Sequence, residues 1–370
     1  MTNIAFILPA PNGGGAERAM IAVANRMAAD GAQVDMLLVR REGPFLCDIA
    51  GSVRIIDLAA GNIRKALPAL RRYMRAERPP LLISALVGTD VLALVGKALF
   101  RWPTHLHLSV QNAPVASAGV SQDALERRWP LIIRTLYRFA DSLNGISIGV
   151  ARDVEALMGK AQGGVPVINN PVDIARARAR SAEAPAHSWL ARKSGPVVLA
   201  VGRLVRQKDY PTLLRAFRIV RERRPGARLL ILGEGQDRAE VEAEIHALGL
   251  ADAVAMPGFD DNPFAAMAAA DVFVLASRWE GFANVVAEAL ACGATVVSTD
   301  CPSGPGEILA GGEYGRLAPV GDAAALADAI GAALAEPADP DVSRRRAEEF
   351  SLDRVVAGYR ALFAAHGLRV

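Results

Sequence analysis

The feature that most narrows the fold is an alternation. Short aliphatic and β-branched runs recur from the first residues onward, separated by segments with helical period. Such a pattern specifies βαβ units around parallel sheets, so the fold class is α/β. The first set of runs covers 3–8, 34–39, 53–57, 81–84, 105–110, 143–147 and 165–168. Periodicity is then lost up to Gly195, where Ala, Arg, Pro and Ser dominate, and restarts with runs at 197–202, 228–233, 253–256, 272–276 and 295–298. The chain therefore reads as two doubly wound, Rossmann-like domains facing across a cleft. Expected boundaries are 1–173 for the first domain, 174–195 for a linker, 196–340 for the second domain, and 341–370 for closing helices. A length of 370 residues suits two cores of ordinary size.

Composition enters mainly to exclude. With 52% hydrophobic and 22% charged residues, the chain is neither a disordered tail nor a disulfide miniprotein. The most apolar stretch, 86–100, is interrupted by Asp90 and Lys97, and a membrane-spanning helix needs about 18 uninterrupted apolar residues. The N-terminus carries no basic residue before Arg18 and its apolar run ends in Pro9 and Pro11, unlike a signal peptide, so the expected compartment is cytoplasmic. Cys47, Cys292 and Cys301 match no zinc or redox spacing, and no metal site is expected.

Charge is uneven. Up to Val172 there are 19 basic and 13 acidic residues, and beyond it 23 and 26. The basic excess gathers at 63–78 (Arg64, Lys65, Arg71, Arg72, Arg75, Arg78) and 125–138 (Arg127, Arg128, Arg134, Arg138). Both stretches are amphipathic and suit either an anionic membrane surface or a solvated helix face. Nucleic acid is not an expected partner, because stacking aromatics are not interleaved with these cations.

In doubly wound sheets ligands sit beyond the carboxyl ends of strands, so residues following each strand carry the functional signal. After the first run comes Pro11-Asn12-Gly13-Gly14-Gly15-Ala16-Glu17, a glycine loop opening a helix, which lacks the dinucleotide G-x-G-x-x-G spacing and is also compatible with a plain turn. The second domain opens with Gly202-Arg203-Leu204-Val205-Arg206-Gln207-Lys208. Arg203 and Lys208, five residues apart, can converge on one anion such as a diphosphate. Lys208 stands out as one of only 5 lysines among 42 basic residues. Downstream, Ser277-Arg278-Trp279-Glu280-Gly281-Phe282-Ala283-Asn284 leads into a helix of small and apolar residues that carries Glu288 and stops at Gly293. A carboxylate in such a helix needs donors from elsewhere, and a ribose diol supplies two. Glu288 at an exposed helix edge is the alternative.

These segments together resemble glycosyltransferase family 4, retaining nucleotide-sugar enzymes with the GT-B fold. The resemblance covers nearly the whole chain. It rests on Gly13-Gly14-Gly15-Ala16-Glu17, 147–151, 169–173, Gly202-Arg203-Leu204 with Lys208, Leu232-Gly233-Glu234-Gly235, Pro257-Gly258-Phe259, and the pair Glu280 and Glu288; Ser303-Gly304-Pro305-Gly306-Glu307-Ile308 is similar to a UDP-sugar-using branch. The resemblance implies a nucleotide-sugar donor, a glycan or lipid-linked acceptor, no cofactor and no metal. Its first domain would bind the acceptor and its second the donor, with the closing helices packed back on the first. Arg203, Lys208 and Glu280 would be the residues of catalysis: the two cations neutralise the diphosphate, and Glu280 lies by the donor sugar. Glu288 would hold the ribose. Gly281, Phe282, Ala283 and Asn284 would bind sugar hydroxyls and phosphate, while Met256, Pro257, Gly258 and Phe259 border the base. Gly202 and Gly233 belong to the same donor site, and Gly14 and Gly15 would close over the donor phosphates.

One departure is visible. Many members carry a histidine after the strand ending near Val110, where this chain has Gln111, which cannot act as an acid or base. His105 and His107 lie upstream on one strand face and read as core or surface residues. Two other readings stay open at this level: an epimerase or phosphorylase on the same architecture, and a binding protein without turnover.

Overall fold

Aliphatic runs of this kind bury both of their faces, which requires helices above and below a parallel sheet. The computed structural model describes residues 3–11, 14–119 and 124–369. It divides the chain into two units, Met1–Pro171 with Leu352–Val370, and Val172–Ser351.

The first unit holds β1 (Asn3–Leu8), β2 (Gln33–Leu38), β3 (Val53–Asp57), β4 (Leu81–Ser84), β5 (His105–Val110) and β6 (Ser142–Gly145). All pair in parallel in the order β3-β2-β1-β4-β5-β6. Its core joins Ile4, Phe6 and Leu8 of β1 to Met20, Val23 and Met27 of the helix Gly15–Ala29 and to Val356, Tyr359 and Phe363 of the helix Leu352–Ala365. The second unit holds β7 (Val197–Val201), β8 (Arg228–Leu232), β9 (Val254–Gly258), β10 (Val272–Leu275), β11 (Val296–Thr299) and β12 (Arg316–Ala318). These are again parallel, in the order β12-β11-β10-β7-β8-β9. Strand order reverses between β7 and β10. From those two strands the chain proceeds to opposite halves of the sheet, which makes a topological switch point, where open α/β sheets take ligands.

Four expectations need correcting. Residues 165–168 form no strand: Gly145 bridges Val167, and Gly145 N and Ile168 N exchange bonds with Pro166 O and Gly145 O, but Pro166 has no N–H to extend a ladder. β12 escaped notice because three residues at a sheet edge carry no period. The 174–195 segment is not a free linker but part of the second unit. Its helix Ile174–Ser181 is capped by Asp173, which accepts from Arg176 N at 2.9 Å, and buries only Ala177, so no apolar stripe marks it. The closing helices divide between the units. Pro340–Ala347 packs on Asn284–Ala291 in the second unit with Ser343 and Ala347 buried, Ser343 Oγ donates to Ala294 O at 3.2 Å, and Arg346 donates to the carbonyls of Glu307 and Ile308 at 2.8 Å. Only the chain from Leu352 onward joins the first unit.

Candidate active site

At the switch point of the second unit, β7 runs into Gly202 and then into a turn of 3₁₀ helix, Arg206–Lys208. Across from it, β10 runs into Ser277–Ala283. The two loops meet through charge. Lys208 Nζ donates to Glu280 Oε1 at 2.6 Å, with side chains 14% and 8% exposed. Ser277 Oγ donates to the same oxygen at 2.6 Å. Gln207 Nε2 donates to Trp279 O at 2.9 Å and reaches Glu280 Oε2 at 3.4 Å. A cation and two neutral donors thus take the place of the water that this enclosed carboxylate gives up.

The structure thus brings Lys208 and Glu280 together. Arg203 is on the exposed surface, although its neighbour Leu204 is fully buried and ties to the next loop by Leu204 N to Glu234 O at 2.9 Å. Sequence reasoning missed Gln207 and Ser277. Their only signal is adjacency: each lies within three residues of a residue already singled out.

The loop after β10 enters the helix Asn284–Ala291 through Ala283, whose φ of +71° is left-handed. Gly281, Phe282 and Ala283 are buried, and the Phe282 ring lies edge-on to Phe350 with centroids 5.3 Å apart. Gly304 holds this loop from the far side: at φ +87° a side chain there would sit 2.3 Å from Phe282 O. No residue but glycine lets the two main chains touch. Glu288 is partly buried, one helical turn beyond Asn284 and so on the same face. Its charge is felt at Cys292, whose thiol is pushed up to about 12 by burial and then by Glu288.

Beyond β8, Gly233 at φ +146° lies so close to the first loop that a Cβ would be 2.0 Å from Gly202 O. Gly233 N donates to Gly258 O at 2.8 Å. Arg238 holds the turn, donating to Glu234 Oε1 at 2.7 Å and to Met256 O at 2.8 Å. Phe259 stands 70% exposed beside exposed Pro257 and partly buried Met256. An aromatic left this open offers a face for stacking.

In the first unit, Gly14 caps the helix Gly15–Ala29, and the Glu17 carboxylate folds over it, 2.2 Å from where a Cβ would stand. Asn12 and Gly13 lie outside the described residues. Gln111 is buried at the end of β5; its Nε2 donates to Ser109 Oγ at 2.9 Å, and its Oε1 has no hydrogen-bond partner among the described residues. His107 is a core residue. Its ring nitrogens meet Ser142 Oγ and Asn144 Oδ1 at 2.9 Å, Phe363 lies edge-on at 5.0 Å, and burial holds its pKa down at about 3. His105 shares Ser142 Oγ at 2.7 Å, and its ring lies tilted against that of His366 with centroids 4.9 Å apart.

The basic stretches also take shape. The 125–138 stretch is broken into Ala124–Arg127, Trp129–Leu136 and a 3₁₀ turn at Tyr137–Phe139. Trp129, Ile133 and Tyr137 face inward, while Arg127, Arg128, Arg134 and Arg138 face out beside Leu131, 59% exposed, and Phe139, 42% exposed. No described helix is long and apolar enough to cross a membrane.

Comparison with known families finds a match for each half of the chain. The model for "Glycosyl transferases group 1" matches residues 184–350, and that for "Glycosyltransferase Family 4" matches residues 13–176. The chain belongs to glycosyltransferase family 4. It is therefore a glycosyltransferase of a retaining, metal-independent family. This family 4 enzyme is 27% identical over 376 residues to the lipopolysaccharide core biosynthesis glycosyltransferase LpsE of Rhizobium meliloti, covering 95% of this chain and 96% of LpsE. More identical matches are local. The N-acetylgalactosamine-N,N'-diacetylbacillosaminyl-diphospho-undecaprenol 4-alpha-N-acetylgalactosaminyltransferase of Campylobacter jejuni is 42% identical over 123 residues, 33% of either chain. A still longer relative at 41% identity is spanned over only 29% of its length. Among solved structures, HepE of Anabaena in complex with UDP and glucose matches 99% of this chain and 100% of its own, with 19% identity and a TM-score of 0.81. The two parallel six-stranded sheets are thus those of GT-B glycosyltransferases.

Proposed function

We propose that this family 4 glycosyltransferase moves a sugar from a UDP-linked donor to a lipid-linked or growing glycan acceptor, in the assembly of a surface polysaccharide, lipopolysaccharide or glycolipid. The observation that carries the reading is the Lys208–Glu280 pair, enclosed at the switch point where β7 and β10 part. Two relatives support the substrate classes: HepE forms a complex with UDP and glucose, and the Campylobacter transferase is named for a sugar carried on diphospho-undecaprenol.

On this reading the second unit binds the donor and the first the acceptor. Lys208 and Arg203 neutralise the diphosphate, Lys208 as a compact charge and Arg203 as a planar fork. Glu280 borders the donor sugar, Glu288 accepts from the ribose hydroxyls, and the main chain of Gly281 to Asn284 meets phosphate and sugar oxygens. Met256 to Phe259, with Gly202 and Gly233, border the base and its phosphates. In a retaining front-face transfer, the bond from the anomeric carbon to the diphosphate oxygen breaks while the acceptor oxygen bonds to the same face. The acceptor proton passes to the leaving phosphate oxygen. No protein base is needed, which accommodates Gln111: its amide can hold a hydroxyl but cannot take the proton.

The test is nucleotide-dependent stabilisation. A ligand at about 100 times its dissociation constant stabilises the native state by about 2.7 kcal/mol. UDP is expected to raise the melting temperature clearly, with GDP and ADP far weaker at equal concentration; GDP or ADP outranking UDP would overturn the donor class.

A lipid-linked acceptor also requires access to a bilayer surface. The outward Arg127, Arg128, Arg134 and Arg138 with Leu131 and Phe139 form a basic face with apolar points, suited to anionic headgroups. In flotation assays the protein is expected to rise with vesicles containing anionic lipid, to stay behind with neutral ones, and to lose the association at high salt. Equal absence from both vesicle types would refute the membrane contact while leaving the transfer reaction standing.

A further inference from the structure

Three consecutive residues fix the loop that follows β7, two to the loop after β10 and one to its own start. Lys208 reaches Glu280, Tyr210 Oη donates to Gly202 O at 3.0 Å, and Asp209 between them turns to Arg278. Asp209 is 1% exposed and adopts φ +47°, a backbone conformation that glycine and asparagine take at lower cost. Something other than the turn itself therefore favours an aspartate here. Its carboxylate receives Arg278 Nε on Oδ2 at 3.0 Å, Arg278 Nη2 on Oδ1 at 3.2 Å and Thr212 Oγ1 on Oδ2 at 2.9 Å. Arg278 is bound at its other end too, where its main-chain N donates to Gln207 O at 2.8 Å.

Residues 207–209 and 277–280 thus form a seam closed by two ion pairs of opposite polarity, Lys208 with Glu280 and Asp209 with Arg278. The first pair must loosen when a diphosphate takes up the Lys208 charge. The second can stay closed throughout, because its carboxylate is buried and its two-pronged contact resists rotation.

We infer that Asp209 and Arg278 are positioning residues: their pair keeps Lys208 and Glu280 in register while the Lys208 charge is transferred to the donor diphosphate. This rests on the assignment of Lys208 to the donor site, and the experiment separates the two. UDP affinity, donor KM and kcat are measured for Asp209→Gly, Asp209→Asn, Arg278→Ala, Arg278→Lys, the double variant Asp209→Gly with Arg278→Ala, and Lys208→Ala. Glycine and asparagine both suit the left-handed turn, so these substitutions remove the charge without straining the backbone.

Asp209→Gly and Arg278→Ala are each expected to weaken UDP binding by about tenfold, and the double variant to be no weaker than either alone, since one pair is lost in all three. Asp209→Asn and Arg278→Lys are expected to recover part of the loss. A merely structural role would lower the melting temperature without changing UDP affinity in the folded protein. Wild-type UDP affinity in Asp209→Gly and Arg278→Ala, alongside a loss in Lys208→Ala, would overturn the positioning role alone. Wild-type affinity in Lys208→Ala would overturn the donor-site assignment and this inference with it. Arg278 is 50% exposed, so its truncation costs little packing, and the double variant leaves neither charge unpaired, so it decides the matter even if a single variant does not fold.

Discussion

Lys208→Ala should lower both UDP affinity and kcat/KM for the donor by at least about tenfold, because a hydrogen bond to a charged group contributes about 1.5–3 kcal/mol and each 1.4 kcal/mol is a factor of ten. The loss should fall on binding and turnover together. A diphosphate gains negative charge as it leaves, so a cation beside it holds the transition state more tightly than the ground state. On the proposed assignment of Glu288 to the ribose, Glu288→Ala should lose a comparable factor from affinity, with less effect on kcat, since such a contact is made equally in both states. Glu280→Gln, like Lys208→Ala, breaks the enclosed pair. It leaves Lys208, only 14% exposed, without its counter-charge, so destabilisation of roughly 3 kcal/mol should accompany any loss of turnover. Calorimetric titration with UDP, run beside steady-state kinetics and denaturant unfolding, separates the three signatures. If Lys208→Ala and Glu288→Ala both bind UDP as the parent does, the donor site lies elsewhere.

What made this site legible in the sequence was position relative to strands. Residues 202–208 and 277–284 each follow a buried aliphatic run, and in a doubly wound sheet such residues must gather at one edge. What stayed illegible was which side chains would meet there. Periodicity reports the face a residue takes on its own element, not the partner it finds across a switch point. Hence Arg203 and Lys208 could be read as two cations for one anion, whereas the contact of Lys208 with Glu280 could not be read. Asp209 and Arg278 gave no signal, each being masked by a neighbour with a more obvious role. The fold's errors have a similar origin. The helix Ile174–Ser181 buries a single alanine and so shows no stripe, and Pro340–Ala347 offers Ser343 and Ala347 to its neighbour, a contact made of small residues rather than an apolar ridge. Elements held by large aliphatic faces were readable; those held by small residues, caps and arginine forks were not.

The largest pH effects should arise in the first unit, where two buried titratable groups oppose each other. Asp90 is wholly enclosed, accepting from Ser84 Oγ at 2.6 Å and from Tyr137 Oη at 2.7 Å, and burial raises its pKa to about 7 from 3.8. Between those values the native state holds a proton that the unfolded chain has released, so Asp90 contributes stability that is complete below about pH 4 and is lost as pH rises through 7. His107 works the other way. With its pKa lowered from 6.5 to about 3 by burial and by the charges of His105 and His366, its contribution is complete above pH 6.5 and is lost as pH falls through 3. Each slope is about 1.4 kcal/mol per pH unit. Across the shared window, from about pH 4 to 6.5, the two cancel and the parent should show little net dependence from them. Removing either exposes the other. Asp90→Asn, which keeps the shape and one acceptor, should give a protein whose stability relative to the parent climbs as pH rises from 4 to 7. His107→Gln, whose amide can still meet Ser142 and Asn144, should give one whose relative stability falls from about pH 3 to 6.5. Lys97, Asp141 and the surface pairs are retained in all three proteins, so differences from the parent isolate the two groups. Urea unfolding at half-unit pH steps measures them, and parallel profiles for the three proteins would show that neither group titrates as its burial requires.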